Sequence, residues 1–191
     1  TIVTCFFSNS DVETNIDECL HKWEPLTKNK FNIVLYTNSD ELFDKASSHT
    51  MICVKQDIDN IQHYKKGNNE WHKFFLMSNA IAHHNFNNTH FMWVDFDALC
   101  TANMNNFANC FYEKSDKISM MNFIDTNKIQ VSTKLFCGSK HNMELLIDMY
   151  KQQCIKTTSD NEDNNEDNND HKISLYEITQ NNRDLFEYYY G

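Results

Sequence analysis

His90-Phe91-Met92-Trp93-Val94-Asp95-Phe96-Asp97 stands near the middle of the chain and drives an apolar, strand-like run into two carboxylates. A strand apolar behind and polar at its tip is what an open α/β sheet presents to ligands, which sit beyond the carboxyl ends of its strands. In an extended chain alternate side chains share a face, so Asp95 and Asp97 are expected to project together while Phe96 points back into the core. Two hard oxygen donors at that spacing suit Mg²⁺ or Mn²⁺, and a cation so placed can hold the phosphates of a nucleotide.

Upstream of that stretch, Ile2 to Phe7 and Phe31 to Thr37 read as buried strands and Met51 to Val54 as a briefer one. Ser10-Asp11-Val12-Glu13 reads as a capping box opening a helix, with Val12, Ile16, Cys19, Leu20 and Trp23 on its apolar face. Ser39 is placed to cap a short helix through about Ala46, and Glu70 to His84 is a stronger one carrying Trp71, Phe74, Phe75, Ile81 and Ala82 on one side. Downstream come strands at Ile118 to Ile124 and Val131 to Cys137, helices at His141 to Cys154 and Ile173 to Thr179, and a closing run from Leu185 to Gly191. Strands alternating with helices predict βαβ units: an α/β chain with a mainly parallel central sheet, folded as a single Rossmann-like domain over residues 1–191.

Bulk properties agree with one domain, since 191 residues can bury a full core but not two comfortable ones. The formal charge of −10 argues against a nucleic-acid partner. Residues 157–170 hold Asp160, Glu162, Asp163, Glu166, Asp167 and Asp170 with no cation, so the remaining body carries only −4. That Asn/Asp/Glu-rich stretch is too polar to bury and is expected to be a flexible surface insertion. With three glycines and one proline, the chain has neither a Gly-x-Gly-x-x-Gly fingerprint nor a Gly-rich phosphate loop. No stretch approaches about 18 apolar residues and no secretory leader is seen, so no membrane segment is expected. Seven cysteines with no Cys-x-x-Cys pair read as reduced core residues, which favours a cytoplasmic setting. A start at Thr1 and a stop at Gly191 without an obvious ending suggest a fragment of something longer.

The strand tips to inspect are Phe6 to Ser8, Thr37 to Ser39 and Asp95 to Asp97. Lys73, nearly alone as a cation in an apolar stretch, is either a snorkelling surface residue or a phosphate contact. His83 and His84 are adjacent and cannot share a helical face, which argues against joint chelation.

Taken in order, Trp71-His72-Lys73-Phe74-Phe75-Leu76, Ala80-Ile81, Asn85-Phe86-Asn87 and His90 to Asp97 resemble the HtrL/YibB family of glycosyltransferases. Leu135-Phe136-Cys137-Gly138-Ser139-Lys140, Leu175 to Thr179 and Leu185 to Gly191 agree with that resemblance, which spans most of the chain with the acidic stretch as an insertion. It implies a GT-A fold and a metal-dependent enzyme that transfers a hexose from a UDP-sugar to a hydroxyl of a protein or glycan. By the same resemblance Asp97 would be the principal Mn²⁺ ligand, and Asp95 would bind the metal or the ribose. Thr4, Phe6, Thr37 and Asn38 would line the nucleoside pocket, and Gly138 and Ser139 would let backbone approach the sugar or acceptor. Asp170 would be the catalytic base, and His141 or His171 a third metal ligand. Two alternatives remain beside it: a catalytically inactive nucleotide-sugar-binding module of the same fold, and a phosphohydrolase of the haloacid-dehalogenase type, which also ends a strand in Asp-x-Asp.

Overall fold

Ile33-Val34-Leu35-Tyr36-Thr37 is buried at every position, as befits a strand covered on both faces. It belongs to a sheet seen in a computed structural model that describes residues 1–7, 15–28, 31–57, 61, 71–84, 89–98, 116–125, 128–160 and 175–190. The strands are β1 (Ile2–Phe6), β2 (Ile33–Thr37), β3 (Ile52–Lys55), β4 (His90–Val94), β5 (Ile118–Asp125), β6 (Lys128–Ser139) and β7 (Phe186–Tyr190). The helices among the described residues are α1 (Ile16–Lys28), α2 (Asp40–Ser47), α3 (Trp71–His83), α4 (Lys140–Asp160) and α5 (Leu175–Asn181), with a 3-10 turn over Arg183–Leu185.

The strands form one seven-stranded sheet in the order β3-β2-β1-β4-β6-β5-β7. Neighbours pair in parallel from β3 to β4 and again between β5 and β7. β6 runs against both of its neighbours. The cause is covalent. A parallel return from β5 would need a crossover of a dozen or more residues, whereas Asp125 and Lys128 already pair across a tight connection. The expected mainly parallel α/β sheet is therefore the observed one, with β6 as its reversed member.

Each face of the sheet has its own core. Val3, Val34, Trp93, Phe136 and Met120 pack under α3, α4 and α5. Ile2, Leu35, Met92, Val94 and Leu135 pack under α1 and α2, joined by Trp23 and Phe96. The apolar face read for α1 is right, since Cys19, Leu20 and Trp23 are buried. Its described start is Ile16, however, where the Asn15 side chain accepts from the Glu18 N–H at 3.2 Å; Ser10 to Glu13 lie outside the described residues. α4 also runs past Cys154 to Asp160, into the polar stretch. Trp71 of α3 stacks on Tyr150 of α4 with ring centres 5.7 Å apart, which sets the two helices side by side. Among the described residues no helix is long and apolar enough to cross a membrane.

Candidate active site

The parallel strands β1 and β2 end together, with Phe6 opposite Thr37, and β4, whose Trp93 pairs with Val3, ends two residues short of them. At the end of β4 the chain does not continue extended. Asp95 donates its N–H to the Lys134 carbonyl at 2.8 Å, and the Ala98 N–H closes back on the Asp95 carbonyl at 2.9 Å. That i to i+3 closure makes a tight turn over Phe96 and Asp97. The expected common projection of Asp95 and Asp97 along a strand face is thereby corrected. The Asp95 side chain retains 18% exposure and the Asp97 side chain 65%, because the turn swings the second carboxylate out to solvent. Phe96 does enter the core, as the alternation predicts: it is 3% exposed and stacks on Trp23 at 5.8 Å.

Asp95 is held on both oxygens. Lys73 Nζ lies 2.9 Å from Oδ1 and 3.0 Å from Oδ2, and Trp93 Nε1 donates to Oδ1 at 2.7 Å. Lys73 is 7% exposed, so the snorkelling reading fails. It stands in the first turn of α3, which contains no acidic residue. A cation there opposes the positive end of the helix dipole, and the Asp95 carboxylate offsets both charges. Trp93 reaches Asp95 because residues two apart on a strand share a face. Asp97 faces Lys134 Nζ at 3.7 Å. The site thus pairs each carboxylate with one lysine, one pair shielded and the other in water.

Around this cluster, Cys5 lies close enough to sense both Asp95 and Lys73. Burial pushes its thiol up, the Asp95 carboxylate adds to that, and the Lys73 ammonium opposes it. His72 packs edge-on against Phe7 and Trp93, with ring centres 6.1 and 6.3 Å apart. Burial, helped by the Lys73 ammonium, pushes its imidazole down to about 4, so it is neutral at pH 7. Its Nδ1 is buried with no hydrogen-bond partner.

The other expected site residues separate into two groups. Phe6 and Asn38 sit at the tips of β1 and β2, Phe6 half-buried against Phe96 at 5.4 Å and Asn38 exposed. Thr4 and Thr37 are 0% exposed, so neither side chain lines a surface; the Thr37 hydroxyl accepts from the Ser39 N–H at 3.1 Å and shapes the turn into α2. Gly138 and Ser139 are at the opposite edge of the sheet. Gly138 pairs with Phe91 and Ser139 with His90, the start of β4. Because β6 is reversed, its carboxyl end lies at the amino ends of the parallel strands, which puts Gly138 and Ser139 roughly 13 to 17 Å along the strand from Lys134. Ser139 caps α4 there by accepting from the Asn142 N–H at 3.2 Å. His141 opens that helix, exposed and at the same far edge. Asp170 and His171 lie outside the described residues.

Sequence reasoning missed three participants. Trp93 was readable, since it shares a strand face with Asp95. His72, beside Lys73, carried no signal for its burial, and Lys134 none at all, since only the β4–β6 pairing brings it to the carboxylates.

Among the described residues no group of three His, Cys, Asp or Glu could by itself hold a metal ion. The donor set fits a different arrangement. Mg²⁺ and related hard cations are commonly held by one or two carboxylates, with phosphate oxygens and water supplying the rest. Asp97, exposed and loosely paired, suits that role; Asp95 sits two residues away with its oxygens engaged by the chain.

No protein-family model matches the chain, and no curated protein does. Solved structures do match in shape. CMP:2-keto-3-deoxy-manno-octonic acid synthetase, solved with CTP, superposes with a TM-score of 0.55 at 7% identity, covering 100% of this chain and 88% of that one. The 4-diphosphocytidyl-2C-methyl-D-erythritol synthase of Anaerococcus prevotii gives 0.54 at 11% identity, again over 100% and 88%. The bifunctional IspDF of Campylobacter jejuni gives 0.52 at 7% identity, over 100% of this chain and 48% of that one. At such identities the likeness speaks for the fold alone: an α/β, Rossmann-like sheet.

Proposed function

We propose that the chain is a metal-dependent glycosyltransferase that moves a hexose from a UDP-sugar to a hydroxyl of a protein or glycan. The observation that carries this reading is the meeting of Asp95, Asp97, Lys73 and Lys134 at the carboxyl edge of β4, where sheets of this kind bind ligands. A UDP-sugar presents a diphosphate to that edge, and two lysines beside two carboxylates can receive it together with a cation. Mn²⁺ or Mg²⁺, when bound, would neutralise charge developing on the departing diphosphate. Asp97 is its proposed ligand. Asp95 keeps Lys73 aimed, or takes the ribose or the metal. Lys73 and Lys134 would contact phosphate oxygens, and Phe6 and Asn38 flank the nucleoside. In the transfer, the anomeric carbon's bond to the diphosphate breaks and one to the acceptor oxygen forms. The acceptor proton passes to a base, for which Asp170 is the sequence-based candidate. The resemblance to the HtrL/YibB family supports the same donor and acceptor classes.

Thermal stabilisation tests this directly. UDP with Mn²⁺ at about 100 times the dissociation constant should add about 2.7 kcal/mol. Asp97→Asn should lose the Mn²⁺-dependent part while keeping its own stability. No shift with UDP and Mn²⁺ in the intact protein would overturn the reading.

A second reading, nucleotidyl transfer, is favoured by the names of the two synthases with TM-scores of 0.55 and 0.54. Pyrophosphate release from CTP or UTP with a sugar acceptor would select it over UDP release from a UDP-sugar. Binding without either turnover would leave an inactive module. The dehalogenase alternative places its nucleophilic aspartate on an early strand, whereas Asp95 follows the fourth. Free thiols at Cys5 and Cys53 suit the proposed cytoplasmic setting.

A further inference from the structure

Among the described residues, three buried polar side-chain atoms have no hydrogen-bond partner: Thr4 Oγ1, His72 Nδ1 and Tyr188 OH. Leaving such atoms buried and unpaired is costly, and native proteins keep few of them without a reason. Their places differ. Thr4 sits within β1, 0% exposed. Tyr188 is on β7, three strands from β4 in the sheet order. Only His72 of the three stands at the carboxyl edge, in the first turn of α3 and beside the lysine that grips Asp95. Its ring is wedged between Phe7, just past the tip of β1, and Trp93, the indole that donates to Asp95. The orphaned nitrogen therefore belongs to the same corner as the carboxylates, with its ring orientation already set by aromatic packing.

We propose that His72 is a ligand-contacting residue of this site, its Nδ1 hydrogen-bonding a ribose hydroxyl of the bound nucleotide. This rests on the nucleotide-dependent reading above and names a residue which that reading leaves without a role. A hydroxyl both donates and accepts, so it satisfies Nδ1 in either tautomer of the neutral ring. A phosphate oxygen only accepts, and would leave a deprotonated Nδ1 facing negative charge. Phosphate is provided for by Lys73 and Lys134; on the α3 face of this edge the nucleoside has, among the described residues, no other buried polar atom waiting for it, since Thr4 by alternation faces the other side of the sheet with Ile2 and Phe6.

The test uses His72→Phe, which keeps an aromatic ring between Phe7 and Trp93 but removes the nitrogen, and His72→Asn, whose amide returns a polar atom near the Nδ1 position. Dissociation constants for UDP are measured by calorimetry with and without Mn²⁺, after thermal melts establish that each variant is folded. The phenylalanine variant should bind UDP about 2- to 12-fold more weakly, the worth of one neutral hydrogen bond. The loss should be the same with or without metal, and the asparagine variant should recover most of it. In the intact protein the ¹⁵N resonance of Nδ1 should move on adding UDP alone. With 2′-deoxy-UDP the phenylalanine penalty should vanish if the 2′-hydroxyl is the partner; persistence there and loss with 3′-deoxy-UDP would assign the 3′-hydroxyl.

Equal UDP affinity in the intact and phenylalanine proteins would overturn the inference while leaving the proposed function standing. So would a penalty carried over unchanged to inorganic pyrophosphate, which would put the contact on phosphate, or one insensitive to both deoxy analogues and dependent on the base. Failure of the intact protein to bind any nucleotide would sink both readings together.

Discussion

The two edges of the central sheet use polar residues in opposite ways. At the carboxyl edge Lys73, Asp95 and Trp93 form a shielded cluster and Asp97 leans on Lys134 in solvent. At the amino edge Ser139 caps α4, and a methyl group placed on Gly138 would meet Asn142 Cβ and Met143 Sδ at 3.5 Å. There the polar and small residues do structural work. Residue type alone does not separate the two kinds, because a Gly-Ser-Lys segment at a strand end suits phosphate recognition as well as it suits a helix start. The direction of the strand separates them.

The comparison breaks first at Lys73. Replacing it by Met leaves the Asp95 carboxylate in a shielded site with the Trp93 indole as its donor, and should cost about 3 kcal/mol. Lys134→Met, at 51% side-chain exposure, should cost less than about 0.5 kcal/mol. Urea unfolding of the two variants checks this, and equal losses would mean that the shielded cluster is no cluster.

The next effect is on pH. The His72 imidazole is held down to about 4 in the folded chain, against about 6.5 when unfolded. Between those values the unfolded chain binds more protons, so stability falls as pH drops from about 6.5 to about 4, by at most about 3 kcal/mol. Below about pH 4.5, Glu18, Glu24 and Asp40, held low by Lys22, Lys28 and Lys55, lose stabilisation in the same direction. His72→Phe should flatten only the upper part of the curve. An unchanged slope between pH 6.5 and 4.5 would place the imidazole in water.

Smaller effects sharpen the other edge. Ser139→Ala removes a helix cap and should cost about 1 kcal/mol with no change in UDP affinity. Gly138→Ala meets only ordinary contacts and should shift stability by less than about 0.5 kcal/mol, again without touching affinity. A tenfold fall in UDP binding for either would return these residues to the ligand site and overturn the division between edges.

Much of this architecture was legible in the residues themselves. Runs such as Ile33 to Thr37 and Phe91 to Val94, apolar without alternation, identify strands covered on both faces. The helical spacing of Cys19, Leu20 and Trp23 marks the buried face of α1. Placing Asp95 and Asp97 beyond the end of a parallel strand needed nothing more than that. Their partners were not legible. Lys73 reads equally as a surface or a site residue until α3 is laid on the sheet, since its burial depends on what packs above it. Asp97 looks like a companion to Asp95 on one strand face until the Ala98 N–H is seen to close the turn.

The chain's own order of apolar and polar residues determined the elements, the alternation of strand and helix, and the tip at which the carboxylates emerge, because backbone geometry and burial act locally along a few residues. Tertiary structure alone decided which groups face them. Reversal of β6 carries Lys134 to Asp97 and takes Gly138 and Ser139 away, and the docking of α3 delivers Lys73 and His72. Those are contacts between segments distant in sequence, set by strand pairing and core packing, and local pattern holds no record of them.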